Sequence, residues 1–201
     1  MIAFDIETIP NEQAIQSDAW KKNKEKRGII DDSLAALHPA FCQVVCICAY
    51  DDLSQRKFSE CGPDEKEIIS NFFSFVSEST IPVILGGHNI KGFDIPVTAC
   101  RAMANGIVVI SPFAMAGKKP WEIPHIDSVD IMRFGCGTYM SLDAMCFLFG
   151  VESPKNGPVS ASGVWDAFKD GDFEGIKKYC GKDVNAWLNC KRKLFALGGI
   201  V

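Results

Sequence analysis

Apolar runs and helix-spaced apolar positions alternate along this chain, and polar segments punctuate them. Residues 2–7 form a short apolar run with two acidic residues set into it, bounded by Pro10, and predict a strand. A long polar segment, about 11–40, follows. In it, Asn11 is placed to cap a helix that runs to about Arg27 and stops at Gly28. Asp31 or Asp32 is placed to cap a second, short helix that ends before Pro39. Gln43 to Tyr50 has the pattern of a buried strand, and Arg56 to Ser59 that of a weaker one after the Asp51-Asp52 turn. With the first strand they predict an antiparallel meander.

Pro63 opens the next helix at its favoured first-turn position, and Ile68, Ile69, Phe72, Phe73 and Val76 recur with helical spacing. Pro82 to Gly87 predicts another strand, and a helix follows from about Phe93 to Asn105 with a stop at Gly106. Ile123 to Ile131 reads as a further strand. Ser141 caps a helix through Phe149 that Gly150 stops. A Pro/Gly/Ser-rich loop, about 153–163, precedes a short helix, and Asp172 begins the last helix, which runs to about Leu197. The order is three strands, helix, strand, helix, strand, then helices. It predicts an α/β fold, a mixed sheet flanked by helices, in a single domain over 1–201 without internal repeat or linker. A chain of this length buries roughly 70% of its unfolded surface and needs no staples.

Composition adds little to this until charge and cysteine are considered. Apolar residues make up 47% and charged residues 23%, as in ordinary globular proteins. No apolar run reaches the length of a membrane span, and the N-terminal residues do not resemble a signal peptide, so the expected setting is the cytoplasm without membrane association. The nine cysteines are scattered without Cys-x-x-Cys or finger spacing. Cys46 and Cys48 alternate along an apolar strand and read as small reduced hydrophobes. Twenty-one basic against 25 acidic residues give a net charge of -4, which argues against a broad basic surface. A nuclease that holds a few nucleotides, with metal ions supplying local positive charge, remains compatible with that balance.

The acidic residues carry the chemistry. Asp5 and Glu7, two apart on the first strand, point to one face. Two carboxylates held together in an apolar setting repel each other unless a cation lies between them. Asp94 stands at the start of a helix that follows a strand end. Tyr179 and Asp183, four apart, share a face of the last helix. Four carboxylates from three elements would converge at one edge of the sheet, and two divalent cations would balance them. An all-oxygen shell favours Mg²⁺ or Mn²⁺. Two such ions roughly 4 Å apart suit in-line attack on a phosphodiester. The Tyr179 hydroxyl, with an ordinary pKa near 10, is better suited to positioning water than to abstracting a proton.

Asp5-x-Glu7, Asn89 with Asp94, and Tyr179-x-x-x-Asp183 resemble the three motifs of the DEDD 3′→5′ exonuclease superfamily. The tyrosine subtype is indicated: the histidine subtype has its base five residues before the last aspartate, where this chain has Lys178. Phe4 to Pro10, Asn89 to Pro96 and Tyr179 to Val184 resemble the signatures of predicted 3′→5′ exonucleases related to the proofreading domain of B-family DNA polymerases. The resemblance spans nearly the whole chain. It implies a ribonuclease H-like fold with a mixed five-stranded sheet, two divalent metal ions, and removal of nucleotides from a nucleic-acid 3′ end; a single strand is expected there and DNA is favoured over RNA, although the sequence itself does not choose between the two. It further implies that Asp5 bridges both metals, that Glu7 and Asp183 complete the first site, and that Asp94 serves the second. The backbone around Thr8 and Ile9 would lie against the terminal nucleotide, with Asn89 and Phe93 lining the same cleft. The family pattern assigns no role to the 11–40 segment.

Other residues read more plainly. Asp127 and Asp130 are rival carboxylates, one of which is placed to brace a neighbouring loop. His88 reads as a hydrogen-bonded packing residue, and His38 and His125 carry no motif. Lys21, Lys22, Lys24, Lys26 and Arg27 form either a solvated helix face or a phosphate contact over the cleft. Lys191, Arg192 and Lys193 complement a helix end. Trp20, Trp121, Trp165 and Trp187 are assigned to packing, with base stacking as the alternative. Two rival functions keep the fold: a catalytically inactive nucleic-acid-binding module, and an endonuclease.

Overall fold

A computed structural model describes residues 1–79, 82–133, 137–155 and 159–197. The middle of the predicted 153–163 loop lies outside the described residues. Strand β1 (Ile2–Pro10) is followed by α1 (Glu12–Ile15), α2 (Asp18–Arg27) and a 3-10 helix (Asp32–Leu37). Then come β2 (Cys42–Asp51), β3 (Lys57–Cys61), α3 (Glu65–Ser77), β4 (Leu85–Gly87) and α4 (Asp94–Ala104). The chain closes with β5 (Ile126–Asp127), α5 (Ser128–Met132), α6 (Leu142–Phe149), α7 (Val164–Lys169) and α8 (Phe173–Leu197).

The five strands make one mixed sheet in the order β3-β2-β1-β4-β5. β3-β2-β1 is the antiparallel meander expected from the sequence, and β4 and β5 run parallel to β1. Side-chain alternation along β1 sends Ile2, Phe4 and Ile6 into a core under α3 and α4, where Phe72 and Phe113 pack against Phe4. The opposite face carries Ala3, Cys46 and Cys48 under α8, with α6 and α7 alongside. β2 has one residue more than β1 at its centre: Glu7 pairs with Cys46 and Thr8 with Val44, so Val45 is a bulge. The Val44 N–H, displaced from the ladder, donates to Glu65 Oε1 at 2.7 Å. Glu65 is itself clamped by Arg101 of α4 in a buried ion pair of 2.7 Å, which ties α3 and α4 to the bulge.

Four predicted elements differ from those observed. The helix expected from Asn11 to Arg27 is two helices, because Ser17 breaks it and its Oγ accepts the Trp20 N–H as the cap of α2. The strand expected over 82–87 is only three residues long. The strand expected over 123–131 is two residues long, because the Asp127 carboxylate accepts the Val129 N–H and starts α5. Pro63 lies just before the helix it was expected to open, and Asp64 provides the cap at Glu67 N. His125 holds the short β4 in place: its Nδ1 accepts the Leu85 N–H, so its Nε2 carries the proton donated to the Pro112 carbonyl.

Close approach of β4 to β1 depends on Gly87. A Cβ there would stand 2.3 Å from Ile90 Cγ2 and 2.9 Å from the Phe4 carbonyl oxygen. Gly87→Ala is expected to lower stability by about 1–3 kcal/mol, as overpacked sites do. Urea unfolding followed by circular dichroism measures it, and an unchanged midpoint would refute the contact.

Candidate active site

β4 ends early, and this exposes the edge of β1 where the chemistry gathers. β4 pairs with β1 only at Ile2 and Ala3. Beyond that point β1 has free backbone groups, and the Ile6 N–H donates to Asp94 Oδ1 at 3.1 Å. Asp94 is the first residue of α4, so the positive end of the helix also faces its carboxylate. Asp5 and Glu7, on the two sides of Ile6, project toward α8. Tyr179 and Asp183 lie one turn apart on that helix and meet them in a common cleft. Glu7, Asp94 and Tyr179 are buried, and Asp5 and Asp183 are half-buried.

Electrostatics tie the four carboxyls into one unit. Burial, then the charges of Asp94, Glu7 and Asp183, push Asp5 well above the usual carboxylate range. Burial and the charges of Asp183 and Asp94 do the same to Glu7. Burial raises Asp94 to about 7 against the opposing pull of its own and Ile6 backbone N–H groups. Burial raises Asp183 to about 6, against the opposing charge of Lys155. The Tyr179 hydroxyl is pushed up by burial and by the charges of Asp183, Glu7 and Asp5, so it stays protonated near neutral pH. Asp183 Oδ1 is buried and, among the described residues, has no hydrogen-bond partner. An orphaned carboxylate oxygen within a set of mutually repelling oxygens suits a hard divalent cation, and these residues fit one.

The cleft has a volume of about 410 Å³. Asp5, Glu7, Tyr179 and Asp183 line it together with Thr8 and Phe93, two of the residues expected against substrate. The 3-10 helix adds Leu34 and Leu37, which are 43% and 62% exposed, and α7 adds Trp165. Thr8 Oγ1 donates to the Ala36 carbonyl at 2.8 Å and fastens this helix to β1. Behind it, Trp20, Ala35 and Phe41 form a separate small core, and the Trp20 indole N–H donates to Asp32 at 2.6 Å. The 11–40 segment is therefore a wall of the cleft.

Ile9, expected to contribute its backbone, and Asn89 are not among the residues that line the cleft. The Ile9 side chain is buried in the core under α8. Asn89 builds the turn before α4: at φ 63° its carbonyl accepts the Gly92 and Phe93 N–H groups. Asp127 braces that turn, with Oδ1 accepting from Asn89 N and Oδ2 from Lys91 N, while Asp130 pairs with Lys91. His88 hydrogen-bonds Ser128, as a packing residue would. Within the basic cluster Lys24 is held by Asp32 and Lys21 by Asp18, and no member lines the cleft. Trp20 and Trp187 are buried. Leu34 and Leu37 carried no expectation for the cleft, and for Trp165 base stacking was the alternative to packing.

With this geometry in place, the comparisons with known proteins define first a class and then a family. The fold matches the family B DNA polymerase from the hyperthermophilic archaeon Pyrobaculum calidifontis over 96% of this chain, with a TM-score of 0.64 and 21% identity. The chain spans 24% of that polymerase chain. The class is thus the ribonuclease H-like α/β fold of polymerase exonuclease domains. Residues 36–195 match the family described as predicted 3′-5′ exonucleases related to the exonuclease domain of PolB, and the chain belongs to that family. The match begins after β1, so the place of Asp5 and Glu7 rests on the structure. No curated protein matches the chain.

Raised carboxyl pKa values set the sign of a pH effect. The folded protein holds protons that the unfolded chain, with carboxyls near 4, has already released. This stabilisation is complete below about pH 4 and is lost as pH rises through the folded values of about 6 for Asp183 and about 7 for Asp94. In chelator, the melting temperature is expected to fall from about pH 5 to about pH 8, and saturating Mn²⁺ should reverse most of the fall at the upper end. Thermal melts across that range check this; a flat profile in chelator would show that burial does not raise these carboxyls.

Proposed function

We propose that this protein is a metal-dependent 3′→5′ exonuclease that releases nucleotides from single-stranded ends, DNA in preference to RNA. One observation carries the reading: Asp5, Glu7 and Asp183 line one cleft, Asp94 is close enough for its charge to act on Asp5, and among the described residues a buried oxygen of Asp183 lacks a partner. Family membership supports the reaction class, and the relation to a DNA polymerase domain supports DNA. The cleft is on the scale of small-ligand pockets, roughly 300–1,000 Å³, which suits one or two nucleotides and not a duplex.

Asp5, Glu7, Asp94 and Asp183 would hold two Mg²⁺ or Mn²⁺ ions. Asp5 is central, since it feels the charges of all three others. When bound, such ions supply Lewis acidity toward the scissile phosphodiester. The Ile6 N–H orients Asp94, and the turn built by Asn89 and braced by Asp127 delivers that residue. Tyr179, protonated, donates a hydrogen bond that positions the attacking water and does not accept its proton. Leu34, Leu37 and Trp165 provide apolar surface for the terminal base. Lys155, whose charge reaches Asp183, favours approach of the phosphate.

A labelled single strand incubated with Mn²⁺, with and without chelator, is expected to shorten from its 3′ end only with metal. Binding without shortening would leave a binding module, and cuts in a 3′-blocked strand would make it an endonuclease. Asp5→Asn should reduce kcat more than about 100-fold while the fold is retained. Tyr179→Phe should reduce it by about 100-fold with metal binding intact. Leu37→Ala or Trp165→Ala should raise KM by the equivalent of about 1–3 kcal/mol with kcat little changed. Steady-state kinetics separate these effects, and an unaltered KM would remove the stacking role.

A further inference from the structure

Beside the acidic pair, on the same face of the sheet, lies a cluster of three thiols. The β1–β2 register places Cys48 opposite Asp5 and Cys46 opposite Glu7, on the face that α8 covers. Cys180, one residue after Tyr179, comes down from α8 onto the same spot. The three sulfurs lie within 4.8 Å of one another, and all three residues are buried. Thiolates bound tetrahedrally to one Zn²⁺ at about 2.3 Å stand about 3.8 Å apart, so the observed spacing needs little adjustment. Buried thiols that merely fill space need no such convergence from two strand positions and a helix. The cluster is one residue from solvent: Cys48 Sγ lies 3.3 Å from the hydroxyl of Ser59, which is exposed on the edge strand β3.

We propose that Cys46, Cys48 and Cys180 form a site for one thiophilic divalent cation, of which Zn²⁺ is the type, separate from the hard-ion set of carboxylates. Soft sulfur donors and hard oxygen donors select different ions, so the two sets sort them. Binding releases the thiol protons to solvent and involves no electron transfer. Three thiolates around Zn²⁺ leave a single residual negative charge. The site is linked to its neighbour through one atom. Cys180 Sγ now donates to the Asp5 carbonyl oxygen at 3.3 Å, and it also lies within 4.8 Å of the Asp5 and Glu7 carboxylate oxygens. Metal binding removes that proton, so the strand that carries the acidic pair loses a hydrogen bond when the thiol site fills. This last consequence bears on activity only if the exonuclease reading is right.

The test reads thiolate coordination directly and is independent of nuclease activity. The protein, reduced and metal-free, is titrated with Cd²⁺ and separately with Co²⁺ in saturating Mg²⁺. A thiolate-to-metal charge-transfer band that saturates at one equivalent is expected with both, and Zn²⁺ should displace the Co²⁺ signal. Cys46→Ser and Cys48→Ala should each weaken Cd²⁺ binding at least about 10-fold. Cys190→Ser should leave it unchanged; that residue belongs to a different buried pair, with Cys146 at 3.7 Å. Absence of the band in the unmodified protein would overturn the proposal without need of any variant. So would a band that survives in Cys46→Ser and Cys48→Ala but is lost in Cys190→Ser.

Discussion

Mutual repulsion among carboxyls gathered on one strand is the constraint around which this molecule is arranged. Asp5 and Glu7 sit on the central strand, where water cannot fully screen them, and Asp94 and Asp183 are brought in against them. Such a cluster is unfavourable in the absence of cations, and the surrounding structure holds it regardless. The Ile6 amide fixes Asp94, the start of α4 faces the same carboxylate, and α8 carries Asp183 to the cleft with one oxygen unpartnered. A fold that keeps like charges together at this expense is organised for what binds between them.

The scaffold behind the cluster is correspondingly stiff. The Val45 bulge, the Glu65–Arg101 pair and His125 each satisfy a backbone or charged group that a simple ladder would leave open. They fix the relation between β1, α4 and the short β4. The cleft wall is built differently. The 3-10 helix rests on its own small core and is attached to β1 by the Thr8 hydroxyl, while it turns Leu34 and Leu37 outward. Charge is thus placed by the sheet and its braces, while the apolar lip is supported separately.

Next to the acidic pair, on the same face of the sheet, the buried surface under α8 carries thiols. Cys46, Cys48 and Cys180 place soft donors between β2 and α8 directly beside the hard ones, with the Cys180 sulfur within 4.8 Å of the Asp5 and Glu7 carboxylate oxygens. Proximity of two ligand sets with opposite preferences makes the choice of ion a property of the site as a whole.

Much of this was legible in the residue order, because periodicity is a local property. The two-residue spacing of Asp5 and Glu7 places both on one face whatever the rest of the chain does. The four-residue spacing of Tyr179 and Asp183 does the same on α8, and the helix-spaced set from Ile68 to Val76 is the buried face of α3. The caps at Asn11 and Ser141 were equally visible. What the order of residues did not contain was distance between elements. That β4 stops at Gly87 and frees the Ile6 amide, that Ile9 turns inward, and that Asn89 shapes a turn were decided by pairing register across distant segments. The same holds for Leu34, Leu37 and Trp165 meeting at one cleft, and for three scattered cysteines meeting at one point. Neighbours along the chain set which way a side chain points, but only long-range packing sets what it points at.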